Sequence, residues 1–178
     1  MTAVVLFEAA EVAVARLVAI RRMLDAAFDG RFGDDDWEHG LGGTHAMVLD
    51  GEQVLAHASI VARTINVGSR DLRVGYVEGV GVTPALHGQG LGSAVMIAIN
   101  DVIRERFELG MLSTGEWQFY ERLGWERWFG PTWTVHGDGR RERTEDEDDG
   151  IMAYRTEHSK DLDATTPITC EHRAGDCW

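Results

Sequence analysis

Cysteine is scarce in this sequence, which has only Cys170 and Cys177 among its 178 residues. Two cysteines cannot supply the disulfide framework on which small secreted scaffolds depend, so that class is excluded. The sequence also lacks an apolar run close to the roughly 20 residues that cross a bilayer, because Arg16 interrupts the longest one, residues 12–20. No basic cluster precedes an apolar stretch near the start, so we expect a cytoplasmic protein without a secretory signal.

Positive charge is also scarce, since 17 Lys and Arg residues face 30 Asp and Glu residues, for a net charge of −13. Nucleic acids and anionic membranes are bound through positive surfaces, so we expect neither as a partner. A surface this acidic attracts a polycation instead. Cys170, His172 and Cys177 lie close together in sequence, but a zinc site needs four ligands at recognisable spacing, so we expect no metal.

Hydrophobic residues make up 44% of the chain, which suffices for an ordered core, and the length fits a single domain over residues 1–178. Apolar residues at helical spacing predict a first helix over residues 11–28. The residues expected along its apolar face are Val14, Leu17, Val18, Leu24 and Phe28.

The middle of the chain has the pattern of antiparallel strands. Asp50-Gly51 is a strong hairpin signal between the predicted strands 45–49 and 54–67. A turn at residues 69–71 leads to a third strand over residues 72–82. These connections are too short for helical crossovers, so we expect this part of the sheet to be antiparallel.

The second half of the chain mixes helical and extended patterns. The elements predicted there are an apolar helix within residues 85–107, a strand over 109–113, a helix over 115–123, a strand over 125–135, and late strands over 151–154 and 168–172. Residues 140–149 form a charge run with no apolar member, so we expect a solvated loop. The predicted fold class is α+β, a largely antiparallel sheet with helices on its faces.

A glycine-rich segment, His87-Gly88-Gln89-Gly90-Leu91-Gly92, joins the third strand to the apolar helix. The free N–H groups and the dipole at a helix N-terminus favour an anion, and glycines let a phosphate approach the backbone. The segment therefore suits a dinucleotide or coenzyme A pyrophosphate, or it is a helix start without a ligand. The glycine spacing differs from the dinucleotide fingerprint, and the Gly-Lys-Ser/Thr of a Walker A loop is absent.

The strand Gly75–Val82 followed by this glycine segment resembles the coenzyme A motif of the GNAT N-acetyltransferase superfamily. That motif has the form Arg/Gln-x-x-Gly-x-Gly/Ala, in which His87 takes the first position and Gly90 and Gly92 match. Within this superfamily, three further stretches resemble the aminoglycoside 2′-N-acetyltransferases. They are Asp36–Ala46, Gly75–Gly79 and Arg173–Trp178. The resemblance implies the GNAT fold with a splayed central strand, acetyl-CoA as co-substrate, and a homodimer.

Glu78 and Tyr120 are the candidate catalytic side chains. Glu78 shares one strand face with Tyr76 and Val80, where a carboxylate is costly to bury unless it is paired. An ion-paired glutamate is one interpretation, and a base that takes a proton from an amine is the other. The resemblance implies the base, and it implies that Tyr120 protonates or hydrogen-bonds the departing thiolate, although a core role is the alternative for Tyr120.

Val80 and Val82 are expected to act through their backbones. The resemblance implies a bulge that frees their N–H groups for the thioester carbonyl and the pantetheine, and Gly79 and Gly81 flank Val80 as a bulge favours. An N–H aimed at the developing oxyanion would be the main electrostatic contribution to catalysis. The residues that the resemblance assigns to the coenzyme pyrophosphate are His87, Gly88, Gln89, Gly90, Leu91, Gly92 and Ser93.

Asp36, Asp176 and the carboxylate of Trp178 are the candidate ligands for a small cationic aminoglycoside, together with Glu78. Taken alone, each aspartate is an ordinary surface charge. Gly79 and Ser113 complete the substrate-binding set that the resemblance implies.

Arg31 departs from the family, which carries an aspartate at this position. An arginine repels an amine and suits a carboxylate. Kasugamycin has both a 2′-amine and a carboxylate-bearing amidine group, so we expect it as the favoured substrate, with Arg31 in the binding site. The alternatives are 2-deoxystreptamine aminoglycosides, another small-molecule or protein amine, a coenzyme A sensor without activity, and an acidic module for a basic partner.

Overall fold

A computed structural model describes residues 3–178 of the chain. Their contacts form two compact units. The first unit holds the residues up to 61 together with residues 77–101, and the second holds residues 62–76 and 102–178. The single domain expected over residues 1–178 stays a prediction.

The first unit contains the antiparallel start of the sheet. Strand β1 (Val4–Glu8) pairs with β2 (Thr44–Asp50), which pairs in turn with β3 (Gln53–Val67). The β2–β3 turn uses Gly51 at a φ of 56°, a conformation that glycine adopts without strain. The hairpin predicted from Asp50-Gly51 is therefore confirmed.

Helix α1 (Val14–Ala27) and helix α2 (Asp34–Gly40) also belong to the first unit. The prediction for the buried face of α1 was wrong at its start, because Val14 is 77% exposed and Val18 is 55% exposed. The helix carries two apolar stripes, and the stripe that enters the core contains Ile20, Met23 and Leu24, which pack with Phe32 and Met47. Periodicity detects both stripes but cannot choose between them.

Strand β4 (Arg70–Val82) and helix α3 (Leu91–Arg106) follow, and each contributes residues to both units, as β3 does. β3 and β4 are neighbouring strands of the sheet, joined by a turn at Gly68. Helix α3 begins within the predicted glycine segment, which confirms that this segment opens a helix.

The second unit adds the remaining strands. Strand β5 (Leu109–Ser113) runs parallel to β4 and antiparallel to β9 (Ile151–Arg155), which also pairs with β6 (Glu126–Arg127). Strand β10 (Ile168–Glu171) runs antiparallel to β3 and parallel to β7 (Thr132–Val135), which pairs with β8 (Arg141–Arg143). The sheet is thus mixed and mostly antiparallel, so the predicted α+β class is confirmed.

Two predicted elements of the second unit differ from the structure. The single strand expected over residues 125–135 is divided into β6 and β7 by Gly130-Pro131, where a Cβ on Gly130 would lie 1.8 Å from the carbonyl oxygen of Thr166. The helix expected over residues 115–123 is the short α4 (Trp117–Glu121). Close packing of the Gly130 backbone against that of Thr166, which the sequence does not display, lies between the two strands.

The charge run 140–149 is largely exposed, as predicted, but it is not a simple loop. It contains β8, and Asp148 accepts hydrogen bonds from the N–H and the hydroxyl of Thr132, both at 2.9 Å. Arg143 forms an ion pair with Asp148 as well. An acidic side chain here supplies the acceptors that an edge of the sheet needs, and a count of charges does not reveal that role.

Within residues 3–178, no helix is both long enough and apolar enough to span a membrane.

Candidate active site

Strand β4 is irregular at Gly79, which has a φ of 54°. The hydroxyl of Ser59 donates to the carbonyl oxygen of Glu78 at 3.2 Å, and His57 Nδ1 lies 2.8 Å from the carbonyl oxygen of Gly79. Successive carbonyls of a regular strand point in opposite directions, whereas these two both meet side chains of β3. A glycine in the left-handed region is the arrangement of a glycine bulge.

The directions of two N–H groups follow from these carbonyls. In a trans peptide the C=O and N–H of one plane point in opposite directions, and the described chain has no cis peptide bond. The N–H of Gly79 shares its plane with the Glu78 carbonyl, and the N–H of Val80 shares its plane with the Gly79 carbonyl. Both N–H groups therefore point away from β3, as in the concave backbone nests that bind anions.

Glu78 lies on β4 beside the end of helix α2. A Cβ built on the buried Gly40 would come within 2.8 Å of Ser59 Oγ and 3.5 Å of Glu78 Cβ. A side chain at Gly40 would therefore collide with the hydroxyl of Ser59 on β3, which donates to the carbonyl oxygen of Glu78. Glycine at this position lets α2 end beside the half-buried Glu78 without disturbing that hydrogen bond.

The glycine turn after β4 is exposed from His87 to Gly90, and Leu91 is buried where α3 begins. Gly88 and Gly90 have φ values of 78° and 81°, and a Cβ on either would meet no atom within 4 Å. His87 donates from Nε2 to the carbonyl oxygen of Val82 at 3.0 Å, which keeps its ring against the end of β4. The backbone of the turn thus faces open space at the N-terminus of a long helix, as a pyrophosphate requires.

Asp36 already has a structural role in the first unit. Its Oδ2 accepts the N–H of Gly33 at 2.7 Å, which caps helix α2. Asp36 retains its second carboxylate oxygen for a ligand. Asp36, which we predicted to bind a substrate ammonium group, is therefore also a helix cap. A substitution of Asp36 changes the stability of α2 as well as any binding of the substrate.

Arg31 lies in the connection between α1 and α2, where it is exposed and donates from Nε to the carbonyl oxygen of Phe28 at 3.3 Å. Sequence reasoning missed Arg21, which pairs with Asp25 at 2.8 Å and with Asp34 at 3.0 Å. The same guanidinium donates to the carbonyl oxygen of Phe32 at 3.2 Å. Arg21 thereby stabilises the connection between α1 and α2, which contains Arg31. Nothing in the sequence indicated this role, because Arg21 has the spacing of an ordinary surface arginine on a helix.

Tyr120 belongs to the second unit, on α4, and is buried with 7% of its surface exposed. Its ring meets Phe119 edge-on at 4.8 Å and Trp125 at 6.1 Å. Burial raises the pKa of Tyr120 above its usual value, and the carboxylate of Glu116 raises it further. The phenol therefore stays protonated at neutral pH and can donate a proton or a hydrogen bond.

Glu147 interacts with two predicted residues of the second unit, Ser113 and Asp176. Ser113 Oγ is 3.5 Å from Glu147 Oε2. Burial raises the pKa of Glu147, and the negative charge of Asp176 raises it further, while Ser113 and Arg173 oppose the shift. Sequence reasoning missed Glu147 because it belongs to the charge run assigned to solvent, where composition gives no sign of burial.

The C-terminal segment is tied to the second unit. Trp178 is 4% exposed, and its Nε1–H donates to Thr144 Oγ1 at 3.2 Å. Cys170 Sγ donates to the carbonyl oxygen of Cys177 at 3.4 Å, and Arg173 Nε donates to that of Asp176 at 2.9 Å. The last residues thus have a defined conformation, which a functional terminal carboxylate needs.

The predicted residues fall into two groups, one in each unit. The group in the first unit contains Arg31, Asp36, Glu78, Gly79, Val80, Val82 and His87–Ser93. The group in the second unit contains Ser113, Tyr120, Asp176 and Trp178. Among residues 3–178, no cluster of three or more His, Cys, Asp or Glu side chains is arranged to hold a metal ion.

Comparisons with known proteins place this chain. The family described as acetyltransferase (GNAT) domain matches residues 11–128. The aminoglycoside 2′-N-acetyltransferase of Mycolicibacterium fortuitum is 41% identical over 162 residues, which cover 89% of this chain and 83% of that protein.

Solved structures show the same fold at low sequence identity. The GNAT family N-acetyltransferase YhbS from Escherichia coli, in complex with CoA, matches with a TM-score of 0.67 and 17% identity over 99% of this chain and 96% of its own. A GCN5-related N-acetyltransferase from Kribbella flavida matches with a TM-score of 0.59 and 22% identity over 72% of this chain. This chain covers only 34% of the length of the Kribbella protein.

The fold, the glycine turn and the family match together define an enzyme of the acyl-transferring class. The chain belongs to the GNAT acetyltransferase family. It is therefore an acetyltransferase, and acetyl-CoA is its acetyl donor.

Proposed function

We propose that this protein transfers the acetyl group of acetyl-CoA to the 2′-amine of an aminoglycoside antibiotic and so confers resistance. The observation that carries the proposal is the 41% identity to the Mycolicibacterium fortuitum enzyme, which extends over 89% of the chain. The net charge of −13 supports it, because an aminoglycoside carries several ammonium groups. The expected cytoplasmic location and the homodimer belong to the same proposal, on the family resemblance alone.

Acetyl-CoA binds with its pyrophosphate on the backbone of residues 87–93. Gly88 and Gly90 support this assignment, because neither has a side chain and a Cβ at either position would meet no atom within 4 Å, which leaves room for a phosphate. Val82 contacts the pantetheine through its backbone, and the N–H of Val80 receives the thioester carbonyl. An oxyanion that forms on this carbonyl is stabilised by that N–H.

The reaction proceeds by direct attack in a ternary complex. The substrate ammonium first loses a proton to Glu78, directly or through a water molecule. The nitrogen lone pair then forms a bond to the carbonyl carbon, and the C–S bond breaks with its electron pair on sulfur. Tyr120 protonates or hydrogen-bonds this thiolate. The nitrogen, which is cationic after the attack, loses its extra proton through water, and this proton restores Tyr120 or protonates the thiolate. Glu78 releases the proton that it took to solvent, so the products are the N-acetylated amine and coenzyme A.

The ammonium groups of the aminoglycoside are held by Asp36, Asp176 and the carboxylate of Trp178, with Glu78 facing the reacting amine. Gly79 and Ser113 complete the substrate-binding set. We add Glu147 to it, because this half-buried carboxylate lies 3.5 Å from Ser113 Oγ and feels the charge of Asp176. An ammonium group placed there would neutralise two neighbouring carboxylates.

Kasugamycin is the favoured individual substrate in this proposal. Arg31 carries the argument, since its exposed guanidinium suits the carboxylate of that antibiotic and repels an additional ammonium. The alternative substrates are 2-deoxystreptamine aminoglycosides and other small-molecule or protein amines.

A thiol-release assay with acetyl-CoA and a panel of amines tests the proposal. We expect turnover with kasugamycin above that with tobramycin, and mass spectrometry should place one acetyl group on the 2′-nitrogen. The variant Arg31→Asp should reverse the preference, while Arg22→Asp, an exposed arginine of α1, serves as the charge-matched control. Strong tobramycin turnover without kasugamycin turnover would refute the role of Arg31, and turnover only with non-aminoglycoside amines would refute the function itself.

A further inference from the structure

Two buried histidines lie behind the irregular part of β4. His45 on β2 and His57 on β3 are 1% and 2% exposed. His45 Nδ1 lies 2.9 Å from His57 Nε2, and His57 Nδ1 lies 2.8 Å from the carbonyl oxygen of Gly79. The acetyl transfer described above gives neither histidine a role.

The proton positions in the His45–His57 pair follow from the carbonyl oxygen of Gly79, which His57 Nδ1 faces. A carbonyl oxygen only accepts hydrogen bonds, so His57 Nδ1 carries a proton. Burial lowers the pKa of His57 to about 3, which leaves the ring neutral and its Nε2 without a proton. His45 Nδ1–H must then donate to that nitrogen. Burial keeps the His45 ring neutral, so it has one N–H, and the shorter contact of 2.9 Å with His57 takes it. The 3.4 Å approach of His45 Nε2 to the carbonyl oxygen of Leu41 is then a contact without a hydrogen bond.

The hydrogen bond from His57 fixes the Gly79–Val80 peptide plane. His57 binds the C=O of the plane whose N–H belongs to Val80, and the two groups point in opposite directions. Ser59 binds the preceding carbonyl, so neither of the two planes can rotate without losing a hydrogen bond to β3. Gly79 allows more than one backbone conformation at this point of β4. The hydrogen bonds from His57 and Ser59 on β3 stabilise one orientation of the two peptide planes.

We propose that His57, held in a single tautomer by His45, is a positioning residue that aims the N–H of Val80 at the acetyl carbonyl of acetyl-CoA. His57 touches no reacting atom, and it acts through the Gly79–Val80 peptide. The proposal rests on the proposed function for the role of the Val80 N–H, whereas the tautomer of His57 does not depend on any substrate.

The tautomer is measured first, on the uncomplexed protein. In a long-range ¹H–¹⁵N spectrum of ¹⁵N-histidine-labelled protein at neutral pH, His57 is expected to show a protonated Nδ1 and a bare Nε2. A His57 signal with the proton on Nε2 would overturn the proposal, and this result is independent of whether any amine is acetylated.

Kinetics of two variants measure the consequence. His57→Phe removes the donor, and it should lower kcat by about 10- to 100-fold because a misdirected oxyanion donor loses much of its effect. His57→Asn places an amide N–H where Nδ1 was, so it should restore kcat to within about fivefold of wild type. KM for acetyl-CoA should stay within about threefold in both, because transition-state binding is what changes. His158→Asn, at an exposed position, controls for the loss of a histidine.

Each result separates the two proposals. If wild-type protein acetylates no aminoglycoside, the proposed function fails, and the tautomer measurement still decides the role of His57. If folded His57→Phe retains wild-type kcat, or if Asn and Phe impair kcat equally, the positioning role is refuted. Circular dichroism of each variant establishes that it is folded, and the tautomer of the wild-type protein stands as the test should His57→Phe not fold.

Discussion

The indole N–H of Trp178 donates to the hydroxyl oxygen of Thr144 at 3.2 Å. This bond joins Trp178 to the charge run 140–149, and the indole ring is buried with 4% of its surface exposed. The carboxylate of Trp178 is thereby attached to a fixed residue. An ammonium ligand held by this carboxylate would meet little conformational entropy cost.

Truncation after Cys177 is expected to weaken aminoglycoside binding. A charge-assisted hydrogen bond contributes about 1.5–3 kcal/mol, so the dissociation constant should rise roughly 10- to 100-fold. Isothermal titration in the presence of coenzyme A measures it. Truncation moves the terminal carboxylate to Cys177, whereas Trp178→Phe keeps it at position 178 and should bind more tightly than the truncated protein. Unchanged affinity after truncation would refute the role of a carboxylate at position 178.

Glu78→Gln is expected to lower kcat by about 10²- to 10⁴-fold, as for loss of a general base. The loss should be greatest at acidic pH, where the unassisted amine is most fully protonated. Rates measured across a pH series with a fixed aminoglycoside test this. Glu157→Gln, an exposed glutamate paired with Lys160, is the matched control. A pH profile parallel to that of wild type would show that Glu78 is not the base.

Tyr120→Phe is expected to lower kcat by about 100-fold, because the thiolate loses its proton donor. KM for acetyl-CoA should change little, since the ring and its contacts with Phe119 and Trp125 are retained. Tyr154→Phe is the control, because Tyr154 bonds Arg104 and takes no part in the proposed chemistry. Equal losses in kcat and in coenzyme binding would mean that Tyr120 serves only as packing.

Asp148→Asn is expected to lower the free energy of unfolding by about 1–2 kcal/mol, since it weakens bonds to Arg143 and Thr132. Asp149→Asn, whose side chain is fully exposed, is the neighbouring control and should leave the urea midpoint unchanged. Equal midpoints for the two variants would contradict the role given to Asp148.

The same carboxylate makes a predictable contribution to acid stability. Hydrogen bonding to Arg143 lowers the pKa of Asp148 from 3.8 to about 2. The unfolded chain therefore binds a proton at a higher pH than the folded chain does, so the stabilisation is complete above pH 3.8 and is lost as the pH falls towards 2. In urea titrations over that range, the difference between wild type and Asp148→Asn should shrink. A difference that stays constant with pH would show that the charge of Asp148 is not involved.

Local signals predicted the elements that depend on local physics. Asp50-Gly51 fixed the β2–β3 hairpin because few residues adopt the turn conformation, and the glycines at 88 and 90 marked a turn for the same reason.

Other features depend on contacts between segments that are distant in sequence. The two apolar stripes of α1 are equivalent in the sequence, and only the position of Phe32 and Met47 selects the one that is buried. Glu147 was assigned to solvent by its neighbours, yet Ser113 lies 34 residues earlier and contacts it. No short stretch of sequence marks His45 and His57, because their contacts with each other and with Gly79 require three strands to be in register.

By itself, the sequence determined the class of fold and the glycine turn at the start of α3, because turn geometry and strand alternation act over a few residues. The catalytic candidates came from the resemblance of its motifs to a family. The tertiary structure alone decided which carboxylates are buried, which helix face packs, and which peptide planes of β4 are held by β3. Those properties arise from desolvation and hydrogen bonding between distant segments, and no short window of sequence contains both partners.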